Sequence, residues 1–328
     1  MRHSVISGAS LLRASVLVLG VASGLACAQN YPNRPVSIVV PFGPGASSDI
    51  ETRLYTQKLT EALGVSVVAD YKPGAGGTLG SAYVAKAAPD GYTMLSTSGS
   101  FTAAAALYAK LPFDTIKDFA PLSLMSLRTT VLVVHPSRPY NNVKEFAAYA
   151  KANPGKINMG DPGLGSSPHL NAAWLFGLIG SKATHVHYKS TAANLTDMIA
   201  GRVDGAVGTA LSALGHIKSG KLKALGIANA ERSPLLPGLA TVAEQGIAGF
   251  DYSSTFGIVT TAGVPQPIID RLAGELAKIA KQPDVAKRLE ADGGFMVGST
   301  PAQFRQLIVS EITRYKKIVQ DEGIQLEE

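Results

Sequence analysis

From residue 36 onward the chain repeats one grammar: a short β-branched run, a glycine-rich loop, then apolar residues at helical spacing. The first unit runs from residues 36–40 into Ile50, Leu54, Leu59 and Leu63, which recur at near-helical intervals. Residues 65–69 lead through 73–77 into a helical stretch at 79–87, and residues 93–97 lead through Ser98-Gly99-Ser100 into an alanine-rich helix. Such alternation predicts an α/β fold with mainly parallel sheets flanked by helices. A second series follows, with strands near 131–134, 157–159, 184–188, 205–207 and 222–228 and helices near 143–152, 167–178 and 192–199. One more apolar strand lies near 252–260, and beyond Pro265 the chain reads as helical, with Pro283 and Pro301 near helix starts.

A chain of 328 residues exceeds what one compact core usually holds, so two lobes are expected. The first comprises residues 29–130 together with 253–328, because the last helices return to it; the second comprises 131–252. The two crossovers, near 128–131 and 250–254, then form a hinge with a ligand cleft beside it.

The N-terminus reads as a secretory signal. Arg2, His3 and Arg13 precede a charge-free run at 16–25 that is too short to span a bilayer, and Ala26-Cys27-Ala28 has the small-x-small pattern of a cleavage site. Cleavage after Ala28 removes Cys27, the only cysteine, leaving no disulfide, thiol nucleophile or thiolate metal site. The full chain carries a formal charge of +6, and loss of Arg2 and Arg13 makes it milder still. The basic residues are dispersed with no tract to track a phosphate backbone, which argues against nucleic acid; a weak pull on anions remains.

Three loops carry the candidate chemistry. Phe42, Gly43, Gly45, Ala46, Ser47, Ser48 and Asp49 stand between a strand and a helix, where unpaired N–H groups and the helix dipole favour an anion. Ser47, Ser48 and Asp49 are also good caps, which by themselves need no ligand. Residues 74–78 form a second loop; it lacks the Gly-Lys-Ser/Thr ending of a P-loop and the Gly-x-Gly-x-x-Gly order of a dinucleotide site, so no phosphate cofactor is expected. Residues 160–169 form the third, in the other lobe. Loops that follow strands in both lobes face one cleft. No Gly-x-Ser-x-Gly elbow occurs. His185 and His187 share a strand face, yet spacing places no third metal ligand beside them, so neither a metal site nor a catalytic residue is expected.

Taken in order, Tyr31-Pro32, Arg34-Pro35, residues 39–42, Pro44-Gly45, Asp49, residues 72–78, residues 88–93, Lys117-Asp118-Phe119, residues 150–156 and Gly220-Lys221-Leu222 resemble the Bug-type substrate-binding receptors of tripartite tricarboxylate transporters. The resemblance spans nearly all of the chain after the signal. It implies a two-lobed periplasmic-binding-protein fold of the Venus-flytrap, type II-like kind, in a monomeric, non-enzymatic periplasmic receptor whose partners are a small carboxylate ligand and membrane permease subunits. Carried over, the carboxylate is held by residues 43–49 and by Gly163, Gly165, Ser166, Ser167 and His169. Water links the other end of the ligand to Gly76, Gly77 and Thr78, and Ser98, Gly208 and Thr209 shape the remaining wall. Asp161 stands where the family commonly has serine, Gly208 where many members have aspartate, and Ala46 where glycine is common. An Asp161 pointing into the cleft would repel a carboxylate and favour an amine or amide, whereas Gly208 argues against an amino acid.

Two other readings stay open at this level. An exported hydrolase would use Ser166 or Ser167 with His169, and a sensing receptor would pass the same closed form to a membrane signalling partner.

Overall fold

In the computed structural model, residues 31–108 and 110–324 are described; the signal segment and Cys27 lie outside them. The strands assemble into two sheets. The first contains β1 (Val36–Val40), β2 (Val67–Tyr71), β3 (Thr93–Ser98), β4 (Phe119–Arg128), β10 (Ser254–Thr261) and β11 (Gly294–Met296), in the order β11-β4-β10-β3-β1-β2. The second contains β5 (Thr130–Val134), β6 (Asn158–Asp161), β7 (Thr184–His187), β8 (Gly205–Thr209) and β9 (Lys223–Ile227), in the order β7-β6-β8-β5-β9. Helices α1 (Ser47–Leu63), α2 (Thr78–Ala85) and α3 (Gly99–Leu107) follow β1, β2 and β3, whereas α4 (Val143–Ala152), α5 (Ser167–Ile179), α6 (Thr191–Ile199) and α7 (Ala210–Lys218) punctuate the second series. The chain closes with α8 (Gln266–Ala280), α9 (Pro283–Ala291) and α10 (Pro301–Asp321).

Both sheets are mixed, where the sequence pattern suggested mainly parallel ones. β1 is parallel to β2 and β3, and β6 is parallel to β7 and β8, because a helix returns the chain between such strands. The strands that carry the chain between sheets run the other way: β10 is antiparallel to β3 and β4, and β5 to β8 and β9.

Burial on both faces explains the near-continuous apolar strands. In β1, Val36 and Ile38 face one core with Leu59, Leu272 and Leu276, while Val39 faces another with Leu95, Phe101 and Phe304. In β5, Leu132 and Val134 join Phe146, Leu175 and Phe176, while Val131 and Val133 join Met198 and Ala213. Each such side chain contributes about 1.5–3 kcal/mol by leaving water. A fifth cluster crosses between the units: Ala103 and Leu107 of α3, Leu170 of α5, and Tyr315 and Ile318 of α10. The C-terminal helix therefore packs on both halves, where the sequence placed it with the first alone.

At the crossover, Arg128 is buried and donates to Glu51, which is buried as well and also accepts from Tyr55 and Ser126. Asn229 joins the outgoing and returning strands, accepting from Thr130 N–H and donating to the Arg128 carbonyl and Ser253 Oγ.

Candidate functional site

Between the sheets lies a cavity of about 90 Å³. Five helices begin at its wall. Ala46, Ser47 and Ser48 come from the start of α1, Ser98 and Ser100 from α3, Ser167 and Pro168 from α5, Thr191, Asn194 and Leu195 from α6, and Thr209 and Ser212 from α7. Each of these helices follows a strand, so the cavity sits beyond the carboxyl ends of β1, β3, β6, β7 and β8. Val131, Val133, Met198, Ala206, Val207, Phe42 and Phe256 supply the apolar walls. No Asp, Glu, Lys, Arg or His is among the lining residues. Tyr252 is the one titratable side chain there, and burial pushes its phenol up, so it stays neutral.

Each helix start presents unpaired N–H groups and a partial positive charge of about half a unit. Two of the five lack a side-chain cap: α1, preceded by Ala46, and α7, preceded by Thr209. The Thr209 hydroxyl turns instead to Ser47 Oγ at 2.8 Å and Ser212 Oγ at 3.1 Å, and Ser47 Oγ lies 3.1 Å from Ser212 Oγ. This triangle of hydroxyls joins the two halves across the cavity. A second bridge runs from Ser167 N–H to Ser100 Oγ, 3.1 Å. Ser48 and Asn194 line the cavity; Ser48 Oγ, and Asn194 Oδ1 set against the Gly160 backbone, are buried with no hydrogen-bond partner among the described residues. Leaving a buried polar atom unpaired costs about 1–3 kcal/mol, so the Ser48 hydroxyl keeps an unused hydrogen-bonding capacity at the wall.

The residues singled out from sequence divide into three groups. Phe42, Ala46, Ser47, Ser48, Ser98, Ser167, Gly208 and Thr209 line the cavity. Gly76, Gly77 and Thr78 line an adjoining recess of about 10 Å³, room for one water, which shares Phe42, Ser98 and Ser100 with the cavity. Gly76 also approaches Leu164: a Cβ there would come within 3.1 Å of the Leu164 carbonyl oxygen, so glycine lets the two loops touch.

The rest are turned elsewhere. The Asp49 carboxylate accepts from Gly45 N–H (2.8 Å), Tyr71 OH (2.6 Å) and Arg53 (2.8 Å), which fixes Gly45 and points the acid away from the cavity. The Gly43 carbonyl accepts from Ala46 N–H. Asp161, expected to threaten a carboxylate if it faced the cleft, is buried against His187 Nδ1 (2.9 Å) and Gly163 N–H (2.9 Å) instead. Gly165 packs on Leu107 and Tyr108, and Ser166 caps α5 through His169 N–H. The His169 ring accepts weakly from Gly165 N–H at 3.3 Å, and burial first, then His185 and His187, push its pKa down to about 3. Ser167 Oγ lies 3.1 Å from Tyr252 OH, so the serine and histidine that a hydrolase would pair are engaged with other groups. Side-chain donors of Asp161, His169 and His185 lie within 4.8 Å of one another, the one such group of potential metal ligands among the described residues.

Sequence reasoning passed over Ser100, Thr191, Asn194, Ser212 and Tyr252. The first four fall in first turns of helices, so extending the rule from loops to the first turn of every helix would have found them. Tyr252 lies on the returning crossover, outside any motif.

Residues 52–324 match the family model described as tripartite tricarboxylate transporter family receptor. The chain belongs to that receptor family. Protein BugT of Bordetella pertussis is 32% identical over 313 residues, covering 95% of this chain and 96% of that protein. Among solved structures, MatC from Rhodopseudomonas palustris with bound malate is 32% identical, with a TM-score of 0.83 over 88% of this chain and 100% of that one. The R. palustris protein Rpa4515 with adipate is 29% identical, with a TM-score of 0.86 over 90% of this chain and 99% of that one. This Bug-type receptor thus has the two-lobed periplasmic-binding-protein fold, with two mixed sheets flanked by helices. Among its described residues no helix is long and apolar enough to cross a membrane.

Proposed function

We propose that this receptor captures a small organic acid in the cavity and delivers it to the permease subunits of a tripartite transporter, working as a periplasmic monomer after removal of residues 1–28. The observation that carries this reading is the pair of uncapped helix starts, α1 and α7, facing each other across a wall without ionisable groups except Tyr252. First-turn amides and the hydroxyls of Ser47, Ser48 and Thr209 receive the carboxylate; the water-sized recess at Gly76, Gly77 and Thr78 serves its other end. The malate and adipate bound by MatC and Rpa4515 support a carboxylate as ligand class. The lobes are residues 29–130 with 253–328, and 131–252, and ligand replaces part of the hydroxyl triangle as they close.

A thermal-shift and calorimetric panel of mono-, di- and tricarboxylates tests the reading. A bound acid at about 100 times its Kd adds about 2.7 kcal/mol of stability. If no carboxylate in the panel raises Tm or gives binding heat, the reading fails.

A further inference from the structure

Asp161 is 1% exposed, and its carboxylate has no Lys or Arg partner among the described residues; its one charge partner is His187, which is charged only when protonated. A buried carboxylate without a permanent cation is costly, and a bound metal ion is one of the few ways to neutralise it. The surroundings supply the remaining ligands. In the parallel pair of β6 and β7, Asp161 lies opposite His187 and Met159 opposite His185, so both histidines leave β7 on one face. The first turn of α5 brings the His169 ring onto them edge-on, its centroid 4.7 Å from that of His185 and 4.8 Å from that of His187. His185 Nδ1 is shielded from solvent and has no hydrogen-bond partner among the described residues. Spacing along the chain places no third ligand beside His185 and His187, because Asp161 and His169 reach them only through the sheet and the helix start.

We infer that Asp161, His169 and His185 bind one transition-metal cation of the Zn²⁺, Co²⁺ or Ni²⁺ kind, with His187 orienting the Asp161 carboxylate. Imidazole with one carboxylate suits these ions and not Ca²⁺ or Mg²⁺, which require oxygen donors. Bond lengths of about 2.0–2.2 Å to nitrogen and oxygen require the donors to draw in from their 4.8 Å span, a movement of side-chain torsions on one strand end and one helix start. The carboxylate already accepts from His187 Nδ1, the hydrogen bond that commonly steadies a metal ligand. Bound metal would fasten both ends of the loop that carries Ser167 to the cavity, so this site lies behind the ligand wall and not in it.

The test uses the processed chain, produced without an affinity tag and stripped with chelator. ZnCl₂ is followed by native mass spectrometry and calorimetry, and Co²⁺ by its visible spectrum. One equivalent bound per chain, a rise in Tm, and a tetrahedral Co²⁺ spectrum are expected. His185→Gln, on a partly exposed strand at the sheet edge, should weaken binding at least tenfold, whereas His216→Gln on α7 should leave it unchanged. Asp161→Asn, with folding checked by circular dichroism, should do the same as His185→Gln; if it does not fold, His185→Gln decides. No stoichiometric binding, or equal binding by wild type and His185→Gln, overturns the inference. Carboxylate binding measured in chelator stands or falls separately.

Discussion

The loops before α1 and α5 are written in nearly the same alphabet, glycines and prolines followed by paired serines, yet they end in opposite states. Before α5, Ser166 caps the helix and the nearby acid, Asp161, is locked to His187. Before α1, Ala46 occupies the cap position, leaving the helix start open, and Asp49 braces the loop from behind. The first loop offers free amides to a guest, and the second offers chiefly its shape and one hydroxyl, Ser167. A glycine-serine loop is a receptor surface only where no side chain has taken the helix end first.

The sharpest way to break this contrast is to give α1 the cap it lacks. Ala46→Asp is expected to weaken carboxylate binding more than 100-fold, about 2.7 kcal/mol, by filling the helix start and repelling the ligand. The same variant should stabilise the ligand-free protein by about 1 kcal/mol, which calorimetry and thermal melts read together. Unchanged affinity would show that α1 does not receive the carboxylate.

The next effect comes from removing the brace. Burial pushes the Asp49 carboxyl up, but hydrogen bonds from Tyr71, Gly45 and Arg53 together hold it below its usual range. A depressed folded pKa contributes stability above about pH 4 and loses it as pH falls through the folded value. Asp49→Asn should therefore cost about 2 kcal/mol at pH 7, and the gap between variant and wild-type melting curves should narrow as the pH falls below about 4. A gap that stays constant with pH would rule out the charge as its source.

Ser48→Ala deletes the unpaired buried hydroxyl. Affinity should fall about tenfold while stability holds or rises slightly, because no intramolecular hydrogen bond is lost. Ser166→Ala should do the reverse, with stability falling by about 1 kcal/mol and affinity changing less than threefold. If the two serines exchange these behaviours in paired melts and titrations, the contrast between the loops is wrong.

Much of this was legible in the chain. The strand-loop-helix units around β1, β3 and β6 announced themselves through apolar runs ending in glycine and serine, since period and turn chemistry are local properties, whereas the helix that follows β8, α7, was not read. β4 was missed because Pro121, Ser123 and Ser126 interrupt its apolar run, and pairing with β10 and β11 sustains it instead. The antiparallel pairs could not be read because strand direction follows from where the chain crosses between sheets. Asp161 shows the same limit at the site. Its residue type was visible, but its orientation depends on His187, which lies on the neighbouring strand 26 residues away.

The charge-free lining has a consequence for the conditions under which the receptor works. With no carboxylate, ammonium or imidazole in the wall, and with the Tyr252 phenol held neutral, nothing there changes protonation across ordinary external acidity. The acidity profile of capture then belongs to the guest alone, appearing as the acid ionises and staying flat above that point. Backbone dipoles and hydroxyls also bring no mobile counterions with them, so binding should tolerate swings in salinity better than in a cleft lined with arginine. Such a cleft keeps one affinity while the water around it changes.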